Sequence, residues 1–236
     1  STMTLNAAAI NQIFQSAVQT KKLPGIVAMV CSREETLYEG AFGERLIDSG
    51  AAMTVDTVCW IASMTKAITS VCAVQCVERG LIDLDAPASA ILPELADVQV
   101  LTGFDSAGMP TYRAPKREIS LRHLLTHSAG FSYEIWNTDI QKLQAALGIP
   151  SVTECKNKAL TLPLLFDPGE RWEYGINIDW AGKMVEAVSG KTLGSYMHDH
   201  LFEPLGMRST AFKMTTAMRE RLSSIHLRGP DGTLTP

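Results

Sequence analysis

The chain has 236 residues, 46% of them hydrophobic, with a net charge of −4 and a pI near 5.7. That length allows one large domain or two small ones with ample apolar mass for a core, and the acidic balance supplies no basic surface for nucleic acid. No apolar run is long enough for a membrane span, no basic-then-apolar leader pattern opens the residues, and the five cysteines lack paired spacing, so reduced thiols and a cytoplasmic location are expected.

Taken in order, residues 5–22 place Ile10, Ile13, Phe14 and Ala17 on one helical stripe, and Leu23-Pro24-Gly25 ends it. Residues 26–31 and 36–42 read as two strands joined by the polar turn Ser32-Arg33-Glu34-Glu35. A helix followed by a hairpin predicts an antiparallel sheet with a helix on one face. The next helix is apolar on nearly every side, through Ala67, Ile68, Val71, Cys72, Ala73, Val74, Cys76 and Val77, before Glu78-Arg79-Gly80 stops it. A helix without a polar face is expected in the middle of a core, and there Cys72 and Cys76 count as small apolar residues.

That helix opens with Ser63 and Lys66, three apart and therefore on one face. An amine at the mouth of an apolar helix is expected to lose proton affinity, which would set a base beside a nucleophile. With 17 Ser and 10 Lys in the chain, about 0.7 Ser-x-x-Lys matches arise by chance. The pair alone therefore leaves a capping serine with a snorkelling lysine as open as catalysis.

Further on, residues 97–118, with Gly103, Gly108, Pro110 and Pro115, read as an irregular excursion. Ser120 is the predicted N-cap of a short helix over 121–126 that ends at His127-Ser128-Ala129-Gly130. Phe131, Tyr133 and Trp136 follow, either as core or as the wall of an apolar pocket. Helical patterns cover 138–147 and 151–160, and Asp167-Pro168-Gly169-Glu170 marks a turn leading to Tyr174. Ala181, Met184, Val185 and Val188 form a further stripe that stops at Gly190. Thr192 caps a helix reaching about Phe202, and Asp231-Gly232 is a hairpin-type turn. His198-Asp199-His200 is read as polar helix surface, so no metal site is expected. Strands at the ends and helices in the middle predict an α/β part from 1–84 and 176–236, with a helical part, 85–175, inserted.

Five stretches carry a resemblance. They are Ser63-Met64-Thr65-Lys66, the run from Arg122 to Gly130, the run from Asp167 to Tyr174, Glu186-Ala187-Val188-Ser189-Gly190, and Pro204-Leu205-Gly206-Met207. In that order they resemble the serine β-lactamase and penicillin-binding-protein superfamily, most closely class C β-lactamases and family VIII carboxylesterases. The resemblance implies an α/β fold, an antiparallel sheet flanked by helices plus a mainly helical inserted subdomain, with no cofactor. It implies Ser63 as the acylated nucleophile, Lys66 as the group that accepts its proton, and Tyr174 as the shuttle to and from the leaving group. Half of an oxyanion hole would come from the Ser63 N–H at the helix start.

Two departures shape the expected activity. Relatives that act on lactams and peptides carry Tyr-x-Asn, whereas Ile176 stands second after Tyr174 and Asn177 is expected to cap the following helix. Without that amide a plain ester is the better substrate, so the expectation is a serine carboxylesterase for small short-chain esters. Phe131, Tyr133, Trp136 and Ile176 are its candidate substrate contacts. The alternatives are a β-lactamase or D-Ala-D-Ala peptidase, and a catalytically silent binding protein of the same fold. A Ser-His-Asp hydrolase is disfavoured, because no Gly-x-Ser-x-Gly occurs and His127 reads as a structural residue at a helix end. The third motif of the superfamily, on a late strand, has no candidate after Met207. Further strands beyond Pro236, from a C-terminal segment needed for folding and activity, are therefore expected.

Overall fold

A computed structural model describes residues 4–236. Its contacts group into two units, one running to Ala62 and joined by Ala211–Pro236, the other Ser63–Thr210. In the first unit α1 (Ala7–Gln19) starts where the Asn6 side chain accepts the Ala9 N–H. Strands β1 (Gly25–Cys31) and β2 (Thr36–Gly43) form the expected antiparallel hairpin, with Ser32 Oγ accepting the Glu34 and Glu35 N–H groups in its turn. Phe14 of α1 lies against Phe42 at 5.7 Å, and Tyr38 donates to Asn11 Oδ1 at 2.6 Å. The expected stripe is only partly used, since Ile13 stays 66% exposed.

The late segment of this unit returns through a parallel bridge from Val58 to Leu222 and a bond from Arg45 to the Glu220 carbonyl. It ends in the short hairpin of β5 (Leu227–Arg228) and β6 (Leu234–Thr235). The sequence reading places a partner strand for the Asp231-Gly232 turn beyond Pro236. Instead, both strands flanking the turn lie within the chain.

The second unit is built on α2 (Thr65–Glu78), α5 (Asn177–Ser189) and α6 (Leu193–Met197), which pack on one another. Gly182 of α5 faces Thr69, so the two helices approach closely. The expectation of a fully buried α2 is corrected. Thr69, Cys72, Ala73 and Cys76 are buried, but Ala67, Val71 and Val74 are exposed along the opposite face. Helix partners cover one side only, and uniform apolarity does not say which side that is.

Residues 97–118 are also corrected: they contain an antiparallel hairpin, β3 (Val100–Phe104) and β4 (Pro110–Arg113). Asp105 Oδ1 accepts the Ala107 and Met109 N–H groups and Gly108 has a φ of +80°, so the turn is specific rather than irregular. Helix α3 (Leu121–Leu125) carries the Ser120 cap as read, and α4 (Thr138–Leu147) matches its predicted range. The stretch 151–160 is two 3₁₀ turns rather than a helix, broken where Cys155 takes a φ of +55°. Beyond α6, a π-helical turn (His198–Phe202) leads into α7 (Glu203–Leu205). In the first unit, α8 (Thr216–Glu220) precedes β5.

The units fall at other points of the chain than 84/85 and 175/176, and within the second of them α2 packs on α5 and α6. Among the described residues, no helix is long and apolar enough to cross a membrane.

Candidate active site

Ser63 lies in the 3₁₀ turn that runs into α2, directly after Ala62, whose φ of +45° is unusual for a residue with a side chain. One turn on, Lys66 Nζ donates to Ser63 Oγ at 3.2 Å. The helical period alone accounts for this pairing. Met64, at the N-cap, offers no side-chain cap, so the first-turn N–H groups of α2 keep the positive end of the helix at the serine.

Tyr174 reaches the pair from the far side of the unit, and the intervening chain explains how. Arg113 on β4 grips the buried Asp167 with two bonds of 2.9 and 2.8 Å, and the Lys116 N–H adds a third at 2.8 Å. These bonds hold the Asp167 carboxyl well below the usual range, the Arg113 hydrogen bond being the largest cause. The following loop is laid along 127–130 by backbone bonds from Gly169 to Ser128 and from Glu173 to His127. Gly175 then passes Ser132 so closely that a Cβ would lie 2.4 Å from its Cα. That contact sets Tyr133 and Tyr174 side by side, ring centroids 5.4 Å apart.

Lys66 Nζ stands over both rings, 4.7 Å from the Tyr174 centroid and 5.3 Å from that of Tyr133. Lys66 and Ser63 both act electrostatically on the Tyr174 hydroxyl, and Lys66 on that of Tyr133. The electrostatics correct the expectation for the lysine. Burial does pull its proton affinity down, but the neighbouring Tyr174 and Tyr133 phenols more than offset this, and Lys66 is raised. Tyr174 moves the opposite way: burial raises it, yet the neighbouring Lys66 and Ser63 bring it below an ordinary tyrosine. The arrangement therefore holds an ammonium beside an acidified phenol. Asp179, in the first turn of α5, adds a carboxylate within electrostatic reach of Lys66 and both phenols.

The other candidate contacts divide. Trp136 stacks on Tyr174 at 5.4 Å and donates from Nε1 to its carbonyl, while remaining 47% exposed. Tyr133 is mostly buried beside Lys66. Phe131 and Ile176 are wholly buried; Phe131 stacks on Trp180, and both belong to the core rather than to an accessible wall. Asn177 is corrected too: Ile176 occupies the N-cap position and Asn177 is the first helical residue, its side chain buried.

Three further residues surround the phenol. His127, with a φ of +53°, stands edge-on to the Tyr174 ring at 4.8 Å. Its Nδ1 lies 3.1 Å from Asn177 Nδ2. Trp172 stacks near-parallel to Tyr174 at 6.5 Å and is 66% exposed. The spacing Trp172-x-Tyr174 was the one available signal for it, since alternate residues of an extended segment share a side. Among the described residues, no group of three or more His, Cys, Asp or Glu could hold a metal ion. His198 pairs with Asp199, and His200 with Arg79.

Comparison with known proteins fits this geometry. The Beta-lactamase family model matches residues 10–236. The chain is 38% identical over 230 residues to the ML-236A carboxylate methylbutanoyltransferase of Penicillium citrinum, covering 94% of this chain and 55% of that protein. It is 40% identical over 226 residues to the lovastatin esterase of Penicillium rubens, covering 92% and 56%. The unliganded simvastatin synthase of Aspergillus terreus superposes with a TM-score of 0.89 at 35% identity, over 97% of this chain and 61% of that one. The chain thus spans a little over half the length of the curated relatives it matches. With the family model matched along nearly all of its residues, and the serine, lysine and tyrosine of that resemblance gathered at one point, this chain belongs to the β-lactamase family.

Proposed function

We propose that this chain carries a serine acyl-transfer site that hydrolyses short-chain carboxylic esters through an acyl-enzyme on Ser63. The observation that carries the reading is the convergence of Ser63 Oγ, bonded to Lys66 Nζ at 3.2 Å, with the Tyr174 ring, whose centroid lies 4.7 Å from the same amine. In this mechanism the Lys66 ammonium holds Tyr174 as a phenolate before attack, and Ser63 Oγ adds to the ester carbonyl carbon as its proton passes to that phenolate oxygen. Lys66 thus acts as the charge that acidifies Tyr174 rather than as the base that the resemblance implied. The oxyanion forms at the α2 N-terminus. Its collapse expels the alcohol, which takes the proton from Tyr174, and leaves the acyl group on Ser63. Water then repeats the sequence and releases the carboxylic acid.

A second reading replaces that water with an alcohol, giving acyl transfer. The names of the relatives include both a transferase and an esterase, and the exposed faces of Trp136 and Trp172 beside Tyr174 suit an apolar acceptor. Lactam or peptide turnover is the weaker alternative. Ile176 offers no amide and is itself buried.

The test is turnover of p-nitrophenyl short-chain esters with mass spectrometry of the trapped protein. An acyl adduct on Ser63, absent in Ser63→Ala, is expected. An adduct on another residue, or a cephalosporin kcat/KM equal to that of the best ester, would overturn the reading. A catalytically silent binding protein would instead fail to react with a serine-directed organophosphate.

A further inference from the structure

We propose that His127 and Asn177 form a positioning pair that holds the Tyr174 phenol against Ser63 and Lys66. The inference rests on the ester-hydrolase reading above. His127 does lie just past the end of α3, as the sequence implies, but it is also bonded to Asn177, which is not the cap of α5.

The polar contacts settle how the pair is joined. Asn177 Nδ2 lies 3.1 Å from His127 Nδ1 and 3.4 Å from the Glu173 carbonyl oxygen. A carbonyl can only accept, so the amide nitrogen is on that side, and His127 Nδ1 accepts from it. The imidazole therefore carries its proton on Nε2. Held in that tautomer, its ring meets the Tyr174 ring at an angle of 67° and Trp172 at 70°. The main chain closes the same link, because the Glu173 N–H donates to the His127 carbonyl at 2.9 Å. His127 thus touches the residue before Tyr174 and the Tyr174 ring itself, while Asn177 joins it from the helix three residues later.

Two local costs mark the position. His127 is a non-glycine residue at a φ of +53°, and Asn177 Oδ1 is buried without a hydrogen-bond partner. A helix end needing only a left-handed turn is served better by glycine or asparagine, as Gly148 and Gly190 show at α4 and α5. Strain that persists beside reacting groups points to a role for the side chain. Neutrality also suits that role. Burial, with the Lys66 charge adding to it, holds His127 down to about 4, so no second cation competes for the Tyr174 oxygen near neutral pH.

The experiment compares His127→Asn and His127→Gly with the parent in the whole natural protein. Both replacements tolerate the left-handed backbone, so melting temperatures should hold or rise. The kcat for a p-nitrophenyl ester should fall by about 10- to 100-fold with KM within about threefold, the signature of a displaced catalytic group. His127→Asn combined with Tyr174→Phe should lose no more than Tyr174→Phe alone. A readout independent of turnover is the ¹³Cζ NMR titration of Tyr174, which should move to higher pH in both variants. Unchanged kcat, a fully additive double variant, or an unmoved Tyr174 titration would each overturn the proposal. So would failure of both variants to fold, which would make the pair a structural clamp. An inactive parent protein would instead sink the ester-hydrolase reading, leaving the Tyr174 titration to decide the pair.

Discussion

In the unit formed by residues 63–210, α2, α5 and α6 bury Cys72, Ala73, Cys76, Ala181, Met184, Val185, Tyr196 and Met197 almost completely. In the other unit α1 has no fully buried side chain, and among the described residues the buried apolar ones are Tyr38, Met53, Val58 and Met218. The contrast runs against the sequence pattern, because α1 has the cleaner apolar stripe. The difference lies in what each helix meets. A two-stranded hairpin presents a narrow surface on which Phe14 can rest, whereas a helix set among helices is covered along a whole face. The chemistry follows the dense unit. Keeping a phenol within about 0.5 Å of its working position beside a serine requires a surround that does not yield.

The largest expected effect tests that assignment directly. Ser63→Ala should lower ester kcat by roughly 10⁴-fold or more, with Lys66→Ala and Tyr174→Phe each costing roughly 10²- to 10⁴-fold and not adding to it. Additive losses in steady-state kinetics would break the shared relay. Next, Leu124→Ala, which empties a site with no solvent exposure, should cost about 2–5 kcal/mol in a urea melt. A loss of only a few tenths would mean that the unit is less tightly packed than its burial implies. Gly175→Ala should come third. Its Cβ cannot fit against Ser132, so Tyr174 shifts and kcat falls by roughly 100-fold; retained activity would show that the loop can yield.

A smaller effect appears in the pH dependence of stability. His127 is lowered from the usual 6.5 to about 4, by burial first and then by Lys66, and His123 and His200 are lowered as well. The unfolded chain therefore binds more protons than the folded one in this range. Stability rises with pH from about 4 to 6.5 and is lost on acidification. His127→Asn should flatten, though not abolish, the slope of melting temperature across that window; an unchanged slope would show that the imidazole titrates normally. Smallest of all, Ile13→Ala on the exposed side of α1 should stay within about 0.5 kcal/mol. A cost matching that of Leu124→Ala would erase the contrast between the units.

Much of the local structure was legible in the sequence. The strands flanking Ser32–Glu35, the Ser120 cap, α4, and the stop at Gly190 all depend on near neighbours and came out as read. The β3–β4 hairpin was missed because Gly103 and Pro110 interrupt its pattern. What stabilises it is remote, a parallel bridge from Val100 to Leu164 and the grip of Arg113 on Asp167. Phe131 and Ile176 read as substrate contacts in the sequence because apolar residues beside a catalytic motif look alike whether they line an opening or fill a core.

By itself the sequence determined the pairing of Ser63 with Lys66, because a helix brings residues three apart onto one face wherever it lies. It also determined that Tyr174 belongs with them, through the order of motifs the chain has in common with its family. Only the tertiary structure decided the charge on the lysine. Taken alone, the helix predicts a neutral amine, since burial is the only influence it brings to bear. Two phenols from segments 67 and 108 residues further along the chain reverse that balance. The same convergence turns His127 and Asn177 from a helix end and a cap into neighbours of the tyrosine. A proton's preferred site depends on every dipole and charge within a few ångströms, and which groups those are is settled by packing rather than by position along the chain.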